Sequence, residues 1–178
     1  LISYYDVTNG DLKVAHCSNQ PCTSATISTL DRTGNVGQYT SIAIGSDGLG
    51  LISYYDETNG DLKIAHCTDL ACRSAAISAL HSNDNVGLFT SLTIGPDGRG
   101  LISYYDANNG DLRVAHCADI ACRSATHIAV QSRDNVGQFT SIAVGADGLA
   151  LISYYDVTNG DLKVAHCSNS LCIPYHRR

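Results

Sequence analysis

Two sets of residues recur at fixed spacing and have side chains able to do chemistry. The first is a series of cysteine pairs: Cys17 and Cys22, Cys67 and Cys72, Cys117 and Cys122, Cys167 and Cys172. Each pair is preceded by a histidine: His16, His66, His116 or His166. The second is a Tyr-Tyr-Asp triplet: Tyr4, Tyr5 and Asp6, with copies ending in Asp56, Asp106 and Asp156. Thiols at such spacing either oxidise to disulfides or bind a metal. Two cysteines across a tight connection can reach the ~5.5 Å Cα separation of a disulfide, and an even count at regular spacing suits an oxidising compartment. Zinc is the competing reading. Neighbouring residues on a strand point to opposite faces, so His16 and Cys17 are poorly placed to share an ion, and C-x4-C lacks the partner spacing of zinc ribbons or fingers. The expectation is four local disulfides, no metal and no cofactor.

Tyr5, Asp6, Tyr55, Asp56, Tyr105, Asp106, Tyr155 and Asp156 are candidate glycan-binding residues, because an aromatic face stacks on a pyranose and a carboxylate accepts its hydroxyl protons. The alternative is structural: the tyrosines pack between layers with their hydroxyls bonded, and each aspartate caps the turn that follows it. The structural reading is favoured. The four histidines share a strand face with Leu12, Val14 and their copies, which suits hydrogen-bonded interior imidazoles better than catalytic ones. Asp6, Asn9 and Asp11 do not match the alternate-residue ligands of a calcium loop.

The element that positions these residues is LISYYDVTNGDLKVAHC, residues 1–17, which returns at 51, 101 and 151. The chain divides into repeats 1–50, 51–100, 101–150 and a partial 151–178, read as one domain. Each full repeat holds four strand-like segments, in the first at 1–6, 11–17, 23–30 and 39–45. Asn9-Gly10 predicts a two-residue type I′ hairpin, and Asp47-Gly48 a second tight turn. The longer connection around Asn35-Val36-Gly37 is where the chain steps to the next sheet. Ser41, Ala43 and Gly45 supply the small side chains of an innermost strand. The fold class expected is all-β, a β-propeller-type array of four-stranded antiparallel blades. It begins with a blade lacking its innermost strand and ends with one whose outermost strand is CIPYHRR. Unpaired edges of this kind attract another chain, so the expected partner is a copy of this protein, as a closed oligomer or a filament.

The repeat S-I-A-I-G-x-D-G-x-x-x-I-S-Y-Y-D-x-x-N-G-D-L-K-V-A-H-C resembles the secreted bacterial β-propeller repeats loosely related to the sialidase-type, or BNR-like, superfamily. The resemblance covers the whole chain and implies four-stranded blades and an extracellular setting. The Asp-box S-x-D-x-G-x-T-W of sialidases is absent, since the chain has no Trp. Arg73, Arg99, Arg113 and Arg133 do not recur at one position in every repeat, so the three-arginine cluster of sialidases is not reproduced.

Net charge is −6, from 17 acidic and 11 basic residues, which argues against nucleic acid as a partner. No apolar run reaches the ~20 residues of a membrane helix. The chain contains no Met and starts inside a repeat, so it reads as a processed chain or a segment of a longer one. Residues 1–19 and 151–169 are the same string, so any group offered by one blade is offered by the others. That favours multivalent binding or scaffolding over a unique catalytic constellation. The expected function is a non-enzymatic, self-associating structural or adhesive protein of the extracellular space or cell surface. The alternative is a lectin-like multivalent carbohydrate-binding module.

Overall fold

The computed structural model describes residues 1–82 and 85–173. Among these residues, fourteen strands follow one another in four antiparallel sheets. The first sheet is β1 (Ile2–Asp6), β2 (Asp11–Cys17) and β3 (Ala25–Asp31). The second is β4 (Val36–Ile44), β5 (Gly50–Asp56), β6 (Asp61–Cys67) and β7 (Ala75–His81). The third repeats it with β8 (Val86–Ile94), β9 (Gly100–Asp106), β10 (Asp111–Cys117) and β11 (Ala125–Gln131). The fourth is β12 (Val136–Val144), β13 (Ala150–Asp156) and β14 (Asp161–His166). This is a propeller-type array with a 50-residue period. Among the described residues its end sheets are three-stranded, the first without an inner strand and the last formed by its three inner strands. The segment CIPYHRR lies largely outside the described residues, which stop at Ile173.

Strands β4, β8 and β12 lie against one another along the inner edge. The Ser41 hydroxyl accepts a bond from the Leu92 backbone N–H at 3.0 Å, and Ser91 does the same for Ile142 at 3.2 Å. A small hydroxyl residue there allows the close approach expected of an innermost strand.

Two local expectations are corrected. The turn after β1 is not a two-residue type I′ turn: Asp6 pairs with Asp11 and four residues make the loop, closed by Gly10 N–H to Asp6 C=O at 2.8 Å. Among the loop residues only Gly10 takes positive φ, at 71°; Asn9 keeps a negative φ and uses its side chain on Asp6. The fourth strand also starts earlier than residue 39. Val36 already pairs with Asp56, and two register shifts then break the ladder before Ser41 meets Ser53. Gly37 (φ 106°) drives the bulge, because a Cβ there would lie 2.8 Å from Leu12 Cα.

The apolar core lies between sheets rather than within one. Leu51, Leu62 and Ile64 of the second sheet bury against Val86, Leu92, Ile102, Tyr104 and Ala115 of the third. The first and third boundaries repeat this with Leu12, Val14, Ile52 and Tyr54, then with Leu112, Val114, Ile152 and Tyr154. Both faces of every internal sheet are therefore covered, which is why LISYYD is bulky on both sides.

Candidate functional site

The Tyr-Asp residues come together at each sheet's hairpin end. Asp6 accepts bonds from Thr8 N–H at 3.1 Å, Asn9 Nδ2 at 2.7 Å and Lys13 Nζ at 2.5 Å. Lys13 above all holds its carboxyl down to about 2. Asp56 is bonded by Asn59, with Lys63 at 3.5 Å. Asp106 is bonded by Asn109 and Arg113, and Asp156 by Asn159 and Lys163. The tyrosine hydroxyls reach forward to the next sheet: Tyr5 to Asn35, Tyr55 to Asn85 and Tyr105 to Asn135, at 2.5, 2.5 and 2.8 Å. Tyr55 and Tyr105 are buried, as are Asp56, Asp106 and Asp156, while Tyr155 on the last sheet is 37% exposed. These side chains are thus engaged in capping and in joining sheets. A glycan at the internal copies would have to displace those bonds.

The repeated histidines pair with the turn aspartate of their own sheet: His66 with Asp47, His116 with Asp97 and His166 with Asp147, each at 2.9 Å. His66 and His116 are half-buried and His166 is open to solvent. Among the described residues, no hydroxyl or thiol is hydrogen-bonded to these pairs, so they lack the nucleophile that would make them a triad. No group of three or more His, Cys, Asp or Glu able to hold a metal ion occurs among the described residues. All eight cysteines are paired, Cys17–Cys22, Cys67–Cys72, Cys117–Cys122 and Cys167–Cys172.

The boundaries differ in their polar residues. At the first, Tyr54 donates to Asp31 and Lys63 Nζ lies 2.6 Å from the same carboxylate. At the second, the equivalent of Asp31 is His81. Its Nδ1 lies 3.0 Å from Tyr104 Oη, and His127 Nδ1 lies 3.1 Å from the same hydroxyl. The two imidazoles stack at 4.6 Å. Burial pushes both below the usual imidazole range, His127 to about 4. At the third boundary the position is Gln131.

One feature was not legible as a site in the sequence. Tyr39, Phe89 and Phe139 stand at one equivalent position of β4, β8 and β12, each in left-handed backbone with φ of 53°, 54° and 50°. For a bulky aromatic residue this conformation costs about 1–3 kcal/mol. Their ring centroids follow at 4.6 and 4.4 Å, forming a row along the inner edge. Two residues after a bulging glycine, the period-2 parity of the strand is lost, so the direction of position 39 cannot be read from its neighbours.

The outward faces of the end sheets complete the picture. Leu162 and Val164 are 80% and 59% exposed, whereas Leu12, Leu62, Leu112 and Val14, Ile64, Val114 are fully buried. On the first sheet Ile2 is 50% exposed, against 0% for Ile52, Ile102 and Ile152.

No protein-family model matches this chain, and no curated protein sequence matches it. Among solved structures, the chain superposes on NanB bound to Optactamide with a TM-score of 0.57 at 13% identity. It superposes on the NanB sialidase of Streptococcus pneumoniae in a second complex at 0.56 and 13%. In both cases 88% of this chain aligns with 26% of the NanB chain, so it spans about a quarter of that protein's length. A fucose lectin from Kordia zhangzhouensis superposes at 0.47 with 9% identity, over 73% of this chain and 98% of the lectin. At these identities the likeness is one of fold, and the NanB superpositions agree with a propeller-type arrangement.

Proposed function

We propose that this chain is a non-enzymatic, extracellular scaffold or adhesive module that associates head to tail with copies of itself. The observation that carries the reading is that its two bare faces are the two halves of its own internal interface. Leu151, Leu162 and Val164 on the last sheet correspond to Leu51, Leu62 and Ile64, which bury against Ile102, Tyr104 and Ala115 of the following sheet. Ile2 and Tyr4 on the first sheet are the equivalents of Ile102 and Tyr104, Ile2 being 50% exposed and Tyr4 half-buried. A second copy placed one blade further on reuses contacts the chain already makes three times. Contiguous exposed apolar surface of this kind is the signature of an association site. The contact is heterologous, so it closes into a ring or runs on as a filament. Four disulfides support an oxidising, extracellular setting. Sedimentation velocity across a micromolar concentration series tests the proposal. Growth of species larger than the monomer is expected, and a single monomeric boundary throughout would refute it.

A further inference from the structure

Away from the end faces, exposed aromatic side chains gather in the row Tyr39, Phe89 and Phe139. Tyr39 and Phe139 are 41% and 66% exposed, and Phe89 between them is half-buried. Successive ring planes are tilted by 52° and 48°, giving a corrugated strip. Tyr55, Tyr105 and Tyr155 back it at 6.2, 6.2 and 6.4 Å. Its rim is polar: Gln38 and Gln138 precede two of the rings, and Glu57 accepts Gln38 Nε2 at 2.7 Å and an Asn35 amide proton. Three strained residues hold their rings in one row, and at its two ends Tyr39 and Phe139 remain exposed to solvent despite the backbone cost.

We propose that this row binds a neutral oligosaccharide, whose successive pyranose faces stack on Tyr39, Phe89 and Phe139 while Gln38, Gln138 and Glu57 bond its hydroxyls. Charge selects this occupant over the other ligands that stack on aromatic rows. A single-stranded nucleic acid needs a cationic groove. Here the rim carries the carboxylate of Glu57 and the chain a net charge of −6, which also disfavours sulfated and uronic glycans. An extended peptide added to a sheet edge needs an unbroken run of backbone donors and acceptors. The left-handed residues Gly37 and Tyr39 and two register shifts interrupt that run on β4. A wholly apolar ligand would leave the amides and the carboxylate unpaired. A pyranose, apolar on one face and hydroxylated around its edge, matches rings bordered by amides.

The test uses neutral hexasaccharides built of glucose, mannose or xylose units as probes, with saturation-transfer NMR and calorimetry. At least one probe binds the unmodified chain in the micromolar to millimolar range. Phe89→Gly, a residue suited to the left-handed backbone, weakens that binding at least tenfold while leaving the melting temperature equal or higher. Phe89→Gly combined with Phe139→Gly abolishes it. Absence of binding by every probe at millimolar concentration, or binding undiminished in the double variant, overturns the proposal. Leu162→Lys alters only the tail face and leaves sugar binding intact, so failure of self-association and failure of the glycan site are read separately.

Discussion

The Tyr54 hydroxyl donates to the Asp31 carboxylate at 2.7 Å, tying the second sheet to the outer strand of the first. Burial alone would raise the Asp31 carboxyl, but the bonds from Lys63 and Tyr54 outweigh it and hold the group below the usual carboxylate range. Asp31→Ala leaves Tyr54 and Lys63 short of a partner at a covered boundary. We expect a loss of about 2–4 kcal/mol by urea denaturation. Tyr54→Phe, which keeps the ring and frees one acceptor, should lose about 1 kcal/mol.

The second boundary responds to acid in its own window. Burial, His81 and Arg113 hold His127 down to about 4, against about 6.5 in an unfolded chain. The folded state binds this proton more weakly than the unfolded one. Its stabilising contribution is therefore whole above about pH 6.5 and falls away as pH drops toward 4. His127→Ile, the residue found at Ile27 and Ile77, should flatten the stability curve between those limits by about 2–3 kcal/mol. A curve unchanged by the substitution would show that the imidazole is not the group responsible.

Two glycines of similar backbone should differ sharply. At Gly87 (φ 102°) an added Cβ lies 2.7 Å from Leu62 Cα, and at Gly48 (φ 81°) nothing lies within 4 Å. Gly87→Ala should cost at least about 3 kcal/mol, from strain plus a forced shift of the neighbouring sheet. Gly48→Ala should cost only about 1–2 kcal/mol of backbone strain. Thermal unfolding of the two variants separates the terms.

Leu162→Lys tests the tail face without threatening the fold. The side chain is 80% exposed, so monomer stability should move by no more than about 0.5 kcal/mol. Self-association should be lost. The same change at Leu112, fully buried at the equivalent position, should prevent folding.

Much of this architecture could be read from residues. The alternation in LISYYD and DLKVAHC predicted β1 and β2, and the cysteine spacing predicted the disulfides. Bulky groups on both faces of LISYYD predicted covered sheets, and the long connection per period predicted the three-stranded first sheet, whereas the outermost strand expected of the last one, CIPYHRR, lies largely outside the described residues. The turn at Asn9-Gly10 was misjudged because a type I′ signal assumes that asparagine turns left-handed. Here the side chain of Asp6 captures that asparagine first, and the loop widens to four residues. The aromatic row was invisible for a related reason. Its direction is set by a bulge whose cause, the Leu12 backbone packed against Gly37, lies 25 residues away in sequence.

The disulfides bear on how such a chain matures. Eight cysteines admit on the order of a hundred pairings, and near-identical neighbouring repeats invite whole-period mispairing during folding. Each bridge here spans a sequence separation of 5 and joins the end of one strand to the turn that follows it. The correct partner is thus the nearest thiol as soon as its own hairpin forms, before any other repeat is needed. Oxidation can proceed one repeat at a time along the emerging chain, with little call on an isomerase, and each sealed hairpin then offers the next one a finished surface to dock on.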